Sequence, residues 1–364
     1  MKLLLGGSPC TYWSVAKHDG RENTCEGQGW ELFKNYLIAK EKFKPDYFLY
    51  ENVASAPKEI KQQIEKALGY PCREINSALV SAQSRKRIYV YNIPDVSLPE
   101  DKHIVVNDIL DSGVNLSGVE KAYCLTATYA GATVKNTLNR HNHTMVAEQI
   151  GYVGNQPSQG SRVYSPFAKS VTLTANGGGA GAKTGLYATP ATNKNTNVYE
   201  VKSHSIEIDG ATYPVNLEDG LYIIRKLTID ECKLLQTVPD DYQMPCSKTQ
   251  NYKMLGNAWT VDIIAHILSF IPNITTEPVT VLSMYDGMSC GQIALNKIGA
   301  HIDKYYATEI DKYAIQTTQL NFPNTIELGD AFDVRKEDWE SKHFNKHIVK
   351  KTTKDKKQKR MRTK

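Results

Sequence analysis

The chain has 364 residues, of which 41% are apolar, so it can bury a large core and has room for two domains. No apolar run approaches the roughly 20 residues needed to span a bilayer, and the amino-terminal segment lacks the pattern of a signal peptide. The seven cysteines are an odd number without a C-x-x-C pair, which argues against a disulfide framework or a zinc site and predicts a reducing compartment.

The net charge of +5 is unevenly distributed. Residues 346–364 contain ten Lys/Arg and one acid, a net charge of +9, which leaves −4 for residues 1–345. A segment so basic and so poor in apolar residues is not expected to fold alone. We interpret it either as a disordered arm that adds salt-sensitive affinity for nucleic acid or as a solubilising or targeting tail.

The first predicted strand leads directly to a cysteine. The apolar run Leu3-Leu4-Leu5 is followed by Gly6-Gly7-Ser8-Pro9-Cys10, which predicts a buried strand ending in a tight turn. Cys10 would then lie at the carboxyl end of the strand, where open α/β sheets keep their active sites. Because Pro9 fixes its own φ, it would hold the thiol at a set angle. A buried structural cysteine is the alternative for this motif taken alone.

Two later segments carry reactive side chains at the ends of predicted strands. Residues 47–53 form a β-rich run with Glu51 and Asn52 near its end. Residues 81–90 enter another strand with alternating polar and basic side chains, namely Gln83, Arg85 and Arg87. A thiol, a carboxylate and paired guanidinium groups are the parts needed to attack an electron-poor heterocycle.

These motifs in this order closely resemble the cytosine-C5 DNA methyltransferases. Residues 6–92 are most similar to the eukaryotic de novo branch and its phage relatives. The resemblance implies an enzyme in which Cys10 adds to carbon 6 of a flipped cytosine, Glu51 binds N3 and the exocyclic amine, and Arg85 stabilises the developing charge. Pro9 and Asn52 complete the implied catalytic set.

The same motifs imply contacts to DNA, from Ser14 and Gln83, with Arg87 as a structural or phosphate-facing residue. The residue after Cys10 is Thr11, where many members of the family carry Gln. This departure removes no reacting group, so an active enzyme is expected.

Three strand-ending motifs in the last quarter of the chain predict a cofactor site. A buried-strand pattern at 279–285 precedes a glycine-containing turn and a predicted helix at 292–298, whose amino end suits a carboxylate or phosphate. Two further predicted strands end in acids, the residue type that holds ribose hydroxyls. Ordinary strand-ending turns are the alternative.

The resemblance assigns these three motifs to S-adenosylmethionine. Predicted helices at about 229–236 and 260–270 resemble the family's last two blocks, which help to close the cofactor pocket. Tyr285-Asp286 departs from the commoner Phe-x-Gly. The cofactor residues implied in this way are Tyr285, Asp286, Gly287, Gly291, Glu309, Ile310, Asp330, Ala331, Asn257 and Trp259.

The order of the blocks predicts a circular permutation, since the family's cofactor half normally comes first. We expect an α/β fold: a doubly wound, Rossmann-like sheet of the S-adenosylmethionine-dependent methyltransferase type, circularly permuted, with a small β-rich target-recognition domain. Residues 273–278 would be the join between the usual chain ends. The predicted parts are a catalytic part at 1–118, the target-recognition domain at 119–221, closing helices and the cofactor-binding part at 222–345, and the basic tail at 346–364.

The predicted target-recognition domain is rich in Gly, Thr, Asn, Ser and Tyr. Residues 154–165 and 171–185 resemble the two recognition loops of small bacterial GCGC-reading enzymes. By that similarity, Gln159 fills the gap left by the flipped base, while Arg162, Thr172 and Gly178 contact bases or backbone. Because arginine suits guanine, a short target such as GpC or GCGC is predicted. A flexible Gly-rich surface loop is the alternative.

The predicted partner is double-stranded DNA, with no metal and no membrane. We expect a monomer in the cytoplasm or nucleoid of its host, or in the nucleus of a eukaryotic host, and a cognate restriction endonuclease is a possible partner. A tRNA-acting member of the same family and a catalytically inactive DNA-binding homologue are the alternative functions.

Overall fold

The computed structural model describes residues 1–15, 19–149 and 198–344, together with the backbone of residues 163–164 and 186–187. The strands in these ranges are β1 (Lys2–Gly6), β2 (Tyr47–Val53), β3 (Arg73–Asn76), β4 (Lys86–Tyr91), β5 (Val114–Asn115), β6 (Met145–Gln149), β7 (Val163–Tyr164), β8 (Leu186–Tyr187), β9 (Val198–Lys202), β10 (Ser205–Ile208), β11 (Ala211–Pro214), β12 (Gly220–Lys226), β13 (Val279–Met284), β14 (Ile302–Thr308) and β15 (Ile326–Glu327). The α-helices are α1 (Gln28–Phe43), α2 (Lys58–Leu68), α3 (Val134–Arg140), α4 (Ile229–Leu235), α5 (Lys248–Asn257), α6 (Val261–Ser269), α7 (Cys290–Lys297), α8 (Lys312–Asn321) and α9 (Trp339–His343).

The larger sheet joins strands from the two ends of the chain. Its order is β15-β14-β13-β1-β2-β4-β3. The first five strands pair in parallel, whereas β4 is antiparallel to both β2 and β3. Leu4 in β1 lies opposite Leu282 in β13 and Phe48 in β2. The catalytic motifs and the predicted cofactor motifs therefore share one sheet and one carboxyl edge.

Helices cover both faces of this sheet, because successive side chains of a strand point to opposite faces. Leu3 and Leu5 belong to one buried cluster, which includes α6 and the first turns of α7. Leu4 belongs to the other cluster, where Phe33 and Tyr36 of α1 pack. This layering is the doubly wound arrangement that the sequence predicts.

The second sheet is antiparallel, with the order β11-β10-β9-β12-β6-β5. It has a buried cluster of its own, to which Leu116, Leu138 and Tyr222 contribute. The strands β7 and β8 pair in parallel with each other. The predicted boundaries of the target-recognition domain stay a prediction.

Several distant parts of the chain meet near Met1. The amino group of Met1 donates to the carbonyl of Pro278 at 2.8 Å. The Lys2 ammonium lies 5.2 Å from the ring centroid of Phe43, and the ring of Phe344 lies 5.2 Å from the same ring. Residues 1, 278 and 344 are therefore all anchored close to the start of β1.

None of the helices within the described ranges is long and apolar enough to cross a membrane. The same ranges contain no group of three or more His, Cys, Asp or Glu side chains arranged to hold a metal ion.

Candidate active site

The turn after β1 brings the Cys10 loop against Glu51. A Cβ atom on Gly7 would lie 3.0 Å from a carboxylate oxygen of Glu51 and 3.3 Å from the indole nitrogen of Trp259, so a glycine here allows a close approach. Cys10 begins a short 3-10 turn, and its carbonyl accepts from the amides of Trp13 and Ser14, both at 3.0 Å. The cysteine therefore lies at the carboxyl edge of the sheet in a hydrogen-bonded turn.

Asn52 holds this turn through its neighbour Ser8. The Asn52 amide donates to the Ser8 carbonyl and to the Tyr50 hydroxyl, both at 3.0 Å. The hydroxyls of Ser8 and Tyr50 are 2.7 Å apart. Because Asn52 is buried and its amide makes both hydrogen bonds, it holds the Cys10 turn in position. Pro9, in the same turn, is exposed.

Glu51 is held by two donors from distant parts of the chain. The indole nitrogen of Trp259 donates to Oε2 at 2.9 Å, and Nε of Arg87 pairs with Oε1 at 3.0 Å. Burial raises the pKa of Glu51, although the charges of Arg87 and Arg85 and these hydrogen bonds oppose the shift. The carboxyl group therefore takes up a proton more readily than a carboxyl group in water.

The Cys10 thiol lies in the same electrostatic environment. Burial raises its pKa, the charge of Arg87 lowers it, Glu51 raises it and Arg85 lowers it. The net shift is upward, so the thiol is protonated at neutral pH in the protein without substrate.

Arg85 points into the protein and is occupied by backbone carbonyls. Its guanidinium donates to the carbonyl of Leu125 at 2.8 Å, to Gly256 at 3.1 Å and to Ala258 at 2.8 Å. It also donates to the sulfur of Cys124 at 3.2 Å. This geometry gives Arg85 a structural role and offers little support for the predicted contact with the reacting base.

Gln83 is fully buried, which leaves its side chain no surface for the predicted contact with DNA. Its amide donates to the carbonyl of Leu235 at 2.6 Å and to Oε1 of Gln236 at 3.0 Å, and its own oxygen accepts from the amide of Leu125 at 3.2 Å. Gln83 is buried, and not exposed to DNA as predicted, because the segment before β4 packs against the end of α4.

Arg87, which the sequence suggests as a structural or phosphate-facing residue, lies inside the site. Its side chain is largely buried, and its charge acts on both Glu51 and Cys10. Ser14, the other predicted DNA contact near the thiol, is partly buried one residue beyond Trp13.

The predicted cofactor residues follow the ends of β13, β14 and β15. Gly287 has a φ of 59°, in the left-handed region that favours glycine, and its amide donates to Glu309 Oε2 at 2.8 Å. A Cβ atom on Gly291 would lie 2.7 Å from the side chain of Leu5, so this glycine allows α7 to pack closely on β1. The Tyr285 hydroxyl donates to the carbonyl of Leu32 at 2.7 Å, which fixes its ring against α1.

A cluster of carboxylates lies beneath this edge. Asp286 Oδ1 accepts from the Tyr305 hydroxyl at 2.7 Å, while Oδ2 has no hydrogen-bond partner of ordinary length within the described residues. Burial raises the pKa of Asp286 to about 6. Burial also raises the pKa of Glu327 to about 7, and the charges of Asp286 and Glu309 add to the shift. Sequence reasoning missed Glu327, although it is the acid that ends β15.

The remaining predicted cofactor residues differ in their exposure. Ile310 is 72% exposed just after the end of β14, where its side chain is accessible to a ligand. Asp330 is exposed and accepts from the amide of Phe332 at 2.9 Å, and Ala331 is buried next to it. Asn257 is exposed at the end of α5.

The predicted recognition residues Gln159, Arg162, Thr172 and Gly178 lie outside the described residues, as does the basic tail at 346–364. Their roles stay predictions.

The comparisons with known proteins agree with this geometry. The family model of the C-5 cytosine-specific DNA methylases matches residues 1–273, three quarters of the chain. The chain belongs to this family. The predicted family and the predicted α/β methyltransferase fold are confirmed, and the order of the blocks remains an inference.

Individual relatives match a similar share of the chain. The type II methyltransferase M.HhaI of Haemophilus parahaemolyticus is 27% identical over 287 residues, which cover 73% of this chain and 74% of the relative. The orphan methyltransferase M.SPBetaI of Bacillus phage SPbeta is 25% identical over 373 residues, with 73% and 81% covered. The DNA (cytosine-5)-methyltransferase DRM1 of Arabidopsis thaliana is 24% identical over 273 residues; the match covers 73% of this chain and 36% of that longer relative.

Proposed function

We propose that this protein transfers a methyl group from S-adenosylmethionine to carbon 5 of a flipped-out cytosine in double-stranded DNA. The observation that carries the proposal is the buried Glu51 carboxylate, clamped between Trp259 and Arg87 beside the Cys10 turn. A thiol next to a proton-donating carboxyl group is what addition to a pyrimidine ring requires.

Cys10 acts as the nucleophile. Its thiolate adds to carbon 6 of the cytosine, and the electron pair of the 5,6 double bond makes carbon 5 nucleophilic. After the methyl group has been accepted, a base removes the proton from carbon 5, and the Cys10–C6 bond breaks to release the thiolate. Because burial raises the pKa of Cys10, the thiolate forms as substrate binds, its proton passing to water and Arg87 stabilising its charge.

Glu51 supplies the proton that this addition needs. As the thiolate adds, negative charge builds on N3 of the cytosine, and a protonated Glu51 donates to that atom. The raised pKa of Glu51 supports this role, because the carboxyl group can hold a proton closer to neutral pH.

We assign the stabilising guanidinium to Arg87, in place of the Arg85 that the sequence suggested. Arg87 contacts Glu51 and lies in the electrostatic field of Cys10. Arg85 instead joins the Cys124 segment to the turn between α5 and α6, and that turn carries Trp259. In this assignment Arg85 keeps Trp259 in place, so it acts on Glu51 indirectly.

The edge formed by β13, β14 and β15 fits S-adenosylmethionine. The unpartnered oxygen of Asp286 and the neighbouring carboxylates suit a ligand with positive charges, and exposed Ile310 suits the face of an adenine ring. Glu309, Asp330 and Asn257 would hold its polar groups, and the α7 amino end its carboxylate. When bound, S-adenosylmethionine supplies an electrophilic methyl group. The protein orients it beside Cys10, because both sites lie on one edge of the sheet.

We further propose that the chain is a circularly permuted member of its family, with a short G/C-containing target. The strand order supports the permutation, because the strands of the cofactor edge follow the catalytic strands in sequence yet pair with β1. The family match, which starts at residue 1 and ends at residue 273, also fits that order. The target sequence, the monomeric state and a restriction partner rest on the sequence alone.

Bisulfite sequencing of DNA from cells that express the protein tests the reaction and its target together. We expect methylated cytosines next to guanine with the wild-type protein and none with Cys10→Ser, because a hydroxyl group does not add to carbon 6 at neutral pH. The control is S-adenosylmethionine binding, which Cys10→Ser should retain. Methylation by the variant within a few-fold of wild type would exclude Cys10 as the nucleophile. Bisulfite sequencing of transfer RNA from the same cells tests the tRNA-acting alternative, which methylation of transfer RNA without methylation of DNA would favour.

A further inference from the structure

The site contains a second cysteine that the proposed mechanism does not use. Cys124 belongs to a short segment that pairs with residues 82–84, directly before Arg85 and β4. The amide of Ala122 donates to the carbonyl of Ala82 at 2.7 Å, and the amide of Ser84 donates to the carbonyl of Ala122 at 3.0 Å. Backbone hydrogen bonds therefore fix the Cys124 segment beside the residues that lead to the two arginines.

The sulfur of Cys124 lies against the guanidinium groups. Arg85 Nη1 donates to it at 3.2 Å. Burial raises the pKa of this thiol, but the charges of Arg85 and Arg87, with their hydrogen bonds, lower it more, and the net pKa lies below that of an ordinary cysteine. Cys10 in the same site shows the opposite net shift.

The charges around Cys124 explain this difference. The charged groups that act on it are Arg85, directly before β4, and Arg87 in β4; Glu51 of β2 and Cys10 act in turn on Arg87. Two guanidinium groups and one carboxylate leave a net positive charge in a largely buried site, which is unfavourable. An ionised Cys124 would balance that charge.

We propose that Cys124 is a positioning residue for methyl transfer, whose sulfur balances the charge of the two guanidinium groups and thereby sets how strongly Arg87 acts on Glu51 and Cys10. This inference rests on the proposed roles of Glu51 and Arg87. Cys124 itself does not touch the cytosine or the cofactor in this role.

Loss of the Cys124 charge would change proton transfer in the site. Without the negative charge of Cys124, the charge of Arg87 acts more strongly on the two acids of the site, Glu51 and Cys10. Both then lose their protons at a lower pH. The pH profile of methyl transfer should move to lower pH as a whole, by about one unit, the shift that a nearby charge produces.

The first experiment measures the thiol in the wild-type protein and needs no activity. Cys124 is partly buried, so a small reagent, iodoacetamide, is the probe. We expect mass spectrometry of the alkylated protein to show Cys124 reacting at a lower pH than Cys10 and below the ordinary thiol value of about 8.5. Ionisation of Cys124 at or above that value would overturn the proposal, whether or not the protein methylates cytosine.

The second experiment compares variants by single-turnover methylation over a range of pH. Cys124→Ala should move the profile to lower pH, and Cys124→Asp, which keeps a negative charge, should retain the wild-type profile. The matched control is Cys246→Ser, a partly buried thiol that contacts α8. If the profiles of Cys124→Ala and Cys246→Ser coincide, the proposal is wrong. If Cys124→Ala does not fold, the alkylation experiment decides.

Discussion

The two arginines of the Gln83-x-Arg85-x-Arg87 motif are two residues apart, with Arg85 directly before β4 and Arg87 within it. Their environments nevertheless differ. Arg85 reaches backbone carbonyls 40 to 173 residues away in the sequence, whereas Arg87 meets the side chain of Glu51. A motif with identical side chains at two positions cannot show which of them meets the substrate, since that depends on contacts with distant segments.

Substitution of each arginine by methionine should separate the two roles. Arg87→Met should reduce the single-turnover rate by about 100-fold or more, because a preorganised charge at the reacting atoms is lost. Arg85→Met should chiefly lower the free energy of unfolding, by about 3 kcal/mol, because three buried carbonyls lose their donor.

Methylation kinetics and urea unfolding of both variants test this assignment. A rate loss for Arg85→Met as large as that for Arg87→Met, at unchanged stability, would restore Arg85 to the reacting atoms.

The carboxylate cluster predicts a dependence of stability on pH. The pKa of Glu327 is raised to about 7, so the folded protein without cofactor binds this proton more tightly than the unfolded chain does. The contribution of Glu327 is therefore full at low pH and is lost as the pH rises through about 7.

Glu327→Gln should then stabilise the protein at pH 8 relative to wild type, by roughly 1 kcal/mol after allowance for its partial exposure, with a smaller gain at pH 5. Urea unfolding at the two pH values measures this difference, with the exposed Glu337→Gln as control. A gain for Glu327→Gln that is equal at both pH values would show that Glu327 is ionised throughout.

At the scale of secondary structure, α4 contacts both β12 of the second sheet and the Gln83 segment before β4. Its first turn carries a capping box, in which Thr228 Oγ1 accepts from the amide of Glu231 at 3.1 Å and Glu231 accepts from the amide of Thr228 at 2.7 Å. Arg225 of β12 donates to both oxygens of Glu231, at 2.8 and 2.9 Å. The far end of the helix accepts from Gln83, so α4 supports the segment that leads to Arg85.

Glu231→Ala should therefore destabilise the protein by about 2 kcal/mol, because it removes two hydrogen bonds from Arg225, whose remaining carboxylate partner is Glu148, and removes half of the capping box. Asp230→Ala is the matched control in the same turn, since that side chain is 78% exposed and its substitution should cost less than about 0.5 kcal/mol. Urea unfolding of both variants measures the difference, and equal effects would mean that the Arg225–Glu231 pair contributes nothing net.

The sequence was sufficient for elements with strong local patterns. The predicted helices at 229–236 and 260–270 occur as Ile229–Leu235 and Val261–Ser269, and the predicted strand at 47–53 is β2. Local patterns could not predict the burial of Gln83 or the position of Cys124, because both result from pairing between residues about 40 positions apart. The geometry of the site depends on contacts between segments that are far apart in the sequence.

At the scale of the whole molecule, the proposed permutation means that the strands of the sheet keep their spatial order although the chain begins at a different strand. The break in the usual order falls in the turn at 273–278, where Thr275 and Thr276 are exposed and Pro278 contacts Met1. Phe344 packs against Phe43, beside Lys2. A linker of about eight Gly and Ser residues, with a mean span of roughly 15 Å, should therefore suffice to join residue 344 to Met1.

A rearranged chain that runs from 276 to 344, through this linker and then from 1 to 275 should fold and methylate the same target sequence within about tenfold of the wild-type rate. The rearrangement opens the chain at one exposed peptide bond, omits residues 345–364 and keeps every strand pairing of the larger sheet, so its rate is compared with that of a chain ending at residue 344. The control is a chain opened between Tyr305 and Tyr306, in the middle of β14, which should not fold because it divides a buried strand. Bisulfite sequencing and thermal unfolding of both chains measure the outcome. A rearranged chain that folds but methylates a different sequence would show that the order of the blocks, and not only their packing, determines how DNA is read.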